Sequence, residues 1–223
     1  MRCVTTMKIT DKKQLSKLVS FLTMGDGSVY SNRNSKNHIF SLNMTEEHLD
    51  FIEYTKSILD NITTSRIIFE QRELPRKNQY KVYTPVHPYF NKLRERIYTG
   101  SYKSIDPHSL KLLDYEALAI LYMCDGCLGK YTNKSTGYTS YSTTINMCRL
   151  SYGDLLLLKK AIKENLDIEF NVVKTGNKYY CLRLRHKDFD KFMKGISNYI
   201  LPSFLYKLEI RTDNPLIKGD EIV

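Results

Sequence analysis

The sequence predicts an α+β protein built twice, with the order α-β-β-α-β-β-α in each half. Three observations predict it. Two apolar runs of helical character end in Asp-Gly: Val19 to Gly27, V-S-F-L-T-M-G-D-G, and Leu118 to Gly126, L-A-I-L-Y-M-C-D-G. Their aspartates, Asp26 and Asp125, lie 99 positions apart in a chain of 223 residues, as a duplicated unit would place them. Each run is then followed by the same succession of alternating and amphipathic segments. An acid in the last turn of an apolar helix is costly to bury unless something pairs with it. Two such acids, brought together by packing the helices side by side, would make a site for a divalent metal.

The elements follow in order. Residues 1–12 are polar and poorly patterned and read as an arm. Leu15, Leu18, Val19 and Leu22 repeat at helical spacing, with Asp11 as the cap and Gly25 and Gly27 around the turn at Asp26. Ser28 to Asn37 reads as a strand, a basic tip and a return, and His38 to Met44 alternates as the next strand. Thr45-Glu46-Glu47-His48, close to a capping box, opens a helix on Leu49, Phe51, Ile52 and Ile58. Thr64 to Arg72 and Gln79 to Thr84 read as a strand pair, and Pro88 starts a short helix through Phe90, Leu93 and Ile97.

Residues 13–100 thus form one repeat and 101–113 a linker. A second repeat fills 114–208. It comprises the helix Tyr115 to Cys124, strands Gly126 to Lys130 and Tyr141 to Arg149, and a helix capped by Ser151 on Leu155, Leu158, Ile162 and Leu166. Strands Ile168 to Lys174 and Tyr179 to Arg185 and a helix Lys187 to Ile196 complete it. Residues 209–223 read as a tail. Antiparallel strands covered by helices on one face leave the other face to solvent.

Composition narrows the partner. Lys and Arg number 34 against 24 acids, a formal net charge of +10, and the pI is near 9.2. That favours a polyanion, nucleic acid first, over a basic protein with no such partner. The apolar runs fall short of the roughly 20 residues of a membrane span, and M-R-C-V-T-T-M-K-I-T lacks the apolar core of a signal peptide. The expected location is an intracellular compartment that holds DNA, a phage-infected cytoplasm or an organelle matrix, with no membrane partner. The five cysteines form no disulfide framework. Cys124 and Cys127 make C-x-x-C, which admits a zinc or redox reading, but Cys127 leads into strand or loop and further ligands are isolated. Packing at a helix interface is the plainer role for Cys124.

The two Asp-Gly runs, the polar loop and Leu-rich helix after the second, and the closing P-S-F-L-Y-K-L at Pro202 to Leu208 resemble the LAGLIDADG homing endonucleases. The match is to the single-chain, two-motif form, and the second half resembles the omega-type intron endonucleases. The resemblance implies two pseudo-symmetric halves whose sheets join in a saddle along the DNA major groove. It implies a site-specific double-strand DNA endonuclease that uses Mg²⁺, with Mn²⁺ substituting. Such an enzyme would act as a monomer on a long asymmetric target, cutting across the minor groove to leave 3′ overhangs. On this reading Asp26 and Asp125 hold metal, with the carbonyls of Gly25 and Cys124 beside them. Lys103, in K-S-I-D-P, and Lys207, in Y-K-L, lie near the scissile phosphates. One departure stands out: the family often has a small residue at the third motif position, where Phe21 and Ile120 stand here.

DNA contacts are expected on the open strand faces and the tips. The candidates are Arg66, Arg72, Lys81, Lys174, Arg183 and Arg185 on strands, and Asn32, Arg33, Asn34, Lys36, Lys77, Asn133, Lys134 and Tyr138 at tips. In Arg183-Leu184-Arg185 the two arginines share a face. Arg and Lys suit guanine edges or phosphates, and Asn suits adenine. The alternative on the same scaffold is a non-cleaving binder of DNA, or a maturase of the protein's own intron RNA.

Overall fold

The computed structural model describes residues 8–31, 35–73, 75–176 and 179–209. The first half runs α1 (Lys12–Met24), β1 (Ser28–Tyr30), β2 (Ile39–Thr45), α2 (Leu49–Leu59), β3 (Arg66–Glu70), β4 (Gln79–Tyr83) and α3 (Pro88–Ile97). A short hairpin, β5 (Tyr98–Thr99) and β6 (Tyr102–Lys103), leads from the end of the first repeat into the stretch read as a linker, which also holds a one-turn helix α4 (Pro107–Leu110). The second half repeats the order with α5 (Tyr115–Asp125), β7 (Gly126–Thr132), β8 (Thr139–Ile145), α6 (Tyr152–Leu166), β9 (Phe170–Thr175), β10 (Tyr179–Leu184) and α7 (Phe189–Ser197). A 3-10 turn, Pro202–Lys207, closes the described chain. The start of the arm and most of the tail lie outside the described residues.

Local chemistry accounts for the helix starts. The Asp11 carboxylate accepts from Lys13 N at 2.8 Å and that of Asp114 from Ala117 N at 3.0 Å. Ser151 and Asp154 form a reciprocal capping box on α6. Thr45 does not cap α2. Its side chain makes no capping bond, and a 3-10 turn, Glu46–His48, intervenes before Leu49. The strand read as reaching Arg149 ends at Ile145, and 146–150 turn back toward the motif helices.

Each half folds one antiparallel four-stranded sheet, with orders β1-β2-β4-β3 and β7-β8-β10-β9. Period-2 alternation sends Phe40, Leu42 and Val82 into the core, while Ser41, Asn43, Lys81 and Tyr83 share the opposite face. In the second sheet Ile145, Leu182, Leu184 and Phe170 are buried, and Thr144, Arg183 and Asn171 face away. Among the described residues no ladder joins the two sheets into one.

The halves meet through α1 and α5, which run parallel. At their N-terminal ends Gln14 Nε2 donates to Glu116 Oε2 at 2.6 Å. The buried ammonium of Lys17 sits 3.1 Å from the same carboxylate and beside Asp114. At their C-terminal ends Gly25 meets Cys124. Phe21 and Ile120 are both fully buried, and the close approach is made one turn further on. A Cβ at Gly25 would stand 2.6 Å from Cys124 Sγ and 2.9 Å from its Cβ, so only glycine allows this spacing. Helix α5 is buried on every side from Ala117 to Met123, with Tyr122 edge-on to Phe192 of α7 at 5.2 Å.

Gly25→Ala should therefore lower the unfolding free energy by about 1–3 kcal/mol, the usual cost of an overpacked contact. Adding Cys124→Gly should restore most of it. Denaturant titration of the three proteins checks this; a Gly25→Ala protein as stable as the parent would contradict the close contact.

Candidate active site

The two motif helices end side by side, so their last residues converge on one cavity of about 420 Å³. Met24, Gly25 and Asp26 line it from α1, and Asp125 from α5. Asp26 opens to solvent as a residue, yet its carboxyl sits among protein groups and burial raises its pKa, against the pull of Lys103. The Cys124 side chain packs against Gly25 across the helix pair, and its thiol also pulls the pKa of that carboxylate down. Burial, and then the charge of Asp26, push Asp125 up to about 7. Like charges held together in a desolvated site cannot both ionise at low cost.

Each lysine of the predicted pair is buried, and each folds back onto the motif helix of its own half. Lys103 Nζ donates to the Gly25 carbonyl. Lys207 Nζ donates to the carbonyls of Met123 at 2.7 Å and Tyr122 at 3.3 Å, and stands over the Phe204 ring at 5.1 Å. Helix C-termini leave carbonyls without intrahelical partners and favour cations. Burial lowers both lysine pKa values and the nearby acids raise them. The Gly25 carbonyl, read from the sequence as a metal donor, is thus taken by Lys103, and the Cys124 side chain meets Gly25.

The donor set fits a hard divalent cation only with help. Among the described residues there is no group of three or more His, Cys, Asp or Glu that could hold a metal. Two carboxylate side chains are what the cavity offers. Mg²⁺ is bound in this fashion, by one or two carboxylates with water and substrate phosphate oxygens completing the shell. The zinc reading of C-x-x-C finds no such cluster, and Cys124, Cys127, Cys148 and Cys181 are free thiols.

The cavity also holds residues the sequence reading passed over. Asn43 lines it from β2, and Asn146, Cys148 and Arg149 from the turn after β8. The Arg149 guanidinium acts on Asp26, Asp125 and Lys103 at once. Arg149 was read as the end of a strand. The signal available was its place two residues before the Ser151 cap, where the first half carries Glu46 and Glu47.

The expected DNA-contacting residues divide. Arg66 and Lys81 lie on the open face of the first sheet, opposite Tyr83 and Ile68, and Arg183 lies on that of the second, opposite Thr144 and Asn171. Lys134 and Tyr138 are exposed at the β7–β8 tip, and Lys36 is exposed before β2. Asn133 Oδ1 instead accepts from Ser135 N at 2.9 Å and holds that tip in shape. Lys77 pairs with Glu47 at 2.8 Å and Arg72 with Glu70 at 3.2 Å. Three placements differ from expectation. Arg72 lies two residues past the end of β3. Lys174 is in register with Tyr180, on the side of Leu182 and Leu184, because Phe170 sets the even positions of β9 toward the helices. Arg185 falls just past β10 and binds Glu169, its cross-strand neighbour, which Lys163 and Lys187 also hold. Asn32, Arg33 and Asn34 lie outside the described residues.

A parallel pair of helices delivering two acids to one cavity, under two open-faced sheets on a basic chain, defines a duplicated nuclease scaffold. The family model for LAGLIDADG DNA endonucleases matches residues 21–192, and the chain belongs to that family. Its fold is similar to the homing endonuclease I-WcaI bound to its DNA recognition sequence, at 19% identity over 92% of this chain and 89% of that one, TM-score 0.70. It is also similar to I-DmoI in complex with DNA and Mn, at 14% identity over 86% and 100%, TM-score 0.57. A third match is the meganuclease I-SmaMI bound to uncleavable DNA, at 12% identity over 89% and 86%, TM-score 0.56.

The raised pKa of Asp125 has a consequence for the metal-free protein. Between the ordinary carboxylate value, 3.8, and about 7 the folded state keeps a proton that the unfolded chain has lost. Stability therefore falls as pH rises through that window. Asp125→Asn removes the effect. Its melting temperature should exceed the parent's by several degrees at pH 8 and match it at pH 4, in EDTA. Equal melting at both pH values would contradict the crowding of the acids.

Proposed function

We propose that this LAGLIDADG endonuclease hydrolyses one phosphodiester in each strand of a long, asymmetric DNA site, as a monomer, with Mg²⁺ or Mn²⁺. The observation that carries the reading is the pair of desolvated carboxylates at the ends of two parallel helices, flanked by buried lysines and by Arg149. Asp26 and Asp125 would hold the metal. When bound, it would supply an activated water and neutralise charge on the phosphoryl oxygens.

The chain's own groups account for the rest. A phosphate entering the cavity brings an anion to Lys103, Lys207 and Arg149, and its charge raises the lysine pKa values that burial has lowered. Each lysine can then leave a helix carbonyl for a phosphate oxygen. Arg66, Lys81 and Arg183 lie on the sheet faces that would follow the major groove. The cavity sits between the halves, so both cuts would fall across the minor groove and leave 3′ overhangs. A protein that acts on DNA in this way would reside in a DNA-containing intracellular compartment. Among the described residues no helix is long and apolar enough to cross a membrane.

The test is cleavage of the uninterrupted host-gene junction by purified protein in Mg²⁺, Mn²⁺ or EDTA, with Asp125→Asn alongside. Metal-dependent cutting at one place is expected, and Asp125→Asn should slow it by at least about 100-fold. Tight binding without cutting in any metal would overturn the enzyme reading in favour of a non-cleaving DNA binder or a maturase.

A further inference from the structure

The two segments that carry the lysines are each tied to the opposite half. Ile105 N, two residues after Lys103, donates to Asp154 Oδ1 at 3.0 Å, in the first turn of α6. Ser203, four residues before Lys207, donates its N to Asp50 Oδ2 at 2.9 Å and its hydroxyl to Oδ1 at 2.6 Å, in the first turn of α2. Asp50 and Asp154 lie 104 positions apart, the offset that also separates Lys103 from Lys207. Each lysine thus rests on the motif helix of its own half, while its backbone is anchored to the second helix of the other.

The segments are also held by burial of Ile105 and Phe204 and, at Lys207, by Tyr122 Oη donating to its carbonyl at 2.9 Å, but the carboxylates are their ties to the opposite half's second helix. Lys103 ends a hairpin of two-residue strands, and Lys207 ends a single 3-10 turn. Neither belongs to a four-stranded sheet. A carboxylate accepting from a backbone N–H makes a strong, directional bond, and here it sets where a flexible four-carbon stem begins. His48 supports one anchor, with Nδ1 at 2.9 Å from Ser203 Oγ and its ring stacked on Phe204 at 4.1 Å. On the other side Asp154 also caps α6 through Ser151, and Ser104 N is held by the Ile97 carbonyl at 2.7 Å.

We propose that Asp50 and Asp154 are positioning residues, each placing the lysine that serves one DNA strand, so that loss of one anchor uncouples the two cuts. The inference rests on the endonuclease reading above, with one lysine beside each scissile phosphate. The acids are held by α1 and α5 and do not depend on the anchors. An anchor variant should therefore keep its DNA affinity and misplace one lysine only. Small misplacements of a positioned group can cost about 100-fold in rate.

The test is cleavage of a duplex labelled separately on each strand, with nicked and linear plasmid products followed in time. Lys103→Met and Lys207→Met first define which strand each lysine serves. Asp154→Ala should slow the Lys103 strand by roughly 10- to 100-fold and accumulate nicked circles, with the other strand and DNA binding unchanged. Asp50→Ala should do the same to the Lys207 strand. Ser151→Ala removes the α6 cap and the hydroxyl bond to Asp154 Oδ2, but leaves Asp154 accepting from Ser151 N on Oδ2 and from Ile105 N on Oδ1. It should lower the melting temperature yet cut both strands evenly, which separates anchoring from helix stability. Anchor variants that slow both strands equally, or neither, overturn the inference while wild-type cutting stands. A wild-type protein that cuts neither strand overturns the endonuclease reading and this inference with it.

Discussion

The structure depends on one close contact, Gly25 against Cys124, at the ends of two parallel helices. Without a side chain on Gly25 the helix termini approach until their next residues, Asp26 and Asp125, face one cavity. Carboxylates repel one another, and burial worsens the repulsion. The contact is maintained by what lies behind it: the apolar surfaces of α1 and α5 and, at the far end, the buried Lys17 between Asp114 and Glu116. Apolar packing and a buried ion pair hold together two groups that would otherwise separate. The result is a site with unmet demand for positive charge.

That demand is answered partly from within. Lys103 and Lys207 sit beside the acids, but their ammonium groups bond helix carbonyls rather than the carboxylates. Satisfying helix ends this way holds the lysines in reserve. They are close enough to act on Asp26 and Asp125 through space, yet bound by contacts that a phosphate can displace. Arg149 reinforces one side of the cavity. The first half carries Glu46 and Glu47 in the corresponding turn, so the duplication is symmetric in fold and asymmetric in charge.

Much of this was legible in the sequence. Two Asp-Gly runs 99 positions apart gave away the duplication, because an acid at the end of an apolar helix conflicts with burial and the conflict occurs twice. Alternation in β2 and β10 located the open faces. The sequence was less informative where a side chain's role depends on a distant partner. Lys103 and Gly25 were assigned separately, and nothing local predicts that one would bond the other's carbonyl. Arg185 obeys the alternation, but Glu169 lies opposite it across the ladder and takes its charge. Lys174 fell on the helix-facing side because strand register is fixed by the core residue Phe170. Arg149 was missed because it lies in a turn, where no periodicity marks direction. The anchors at Asp50 and Asp154 read locally as residues in first helical turns.

The central claim is that Asp26 and Asp125 together hold a divalent cation against DNA. Anomalous scattering from Mn²⁺ in crystals of the DNA complex tests it most directly. The account predicts metal bound by these two carboxylates and by phosphate oxygens, with Lys103 and Lys207 turned from their helix carbonyls toward the DNA. Metal bound away from both aspartates, or DNA seated with the cavity empty of phosphate, would contradict it.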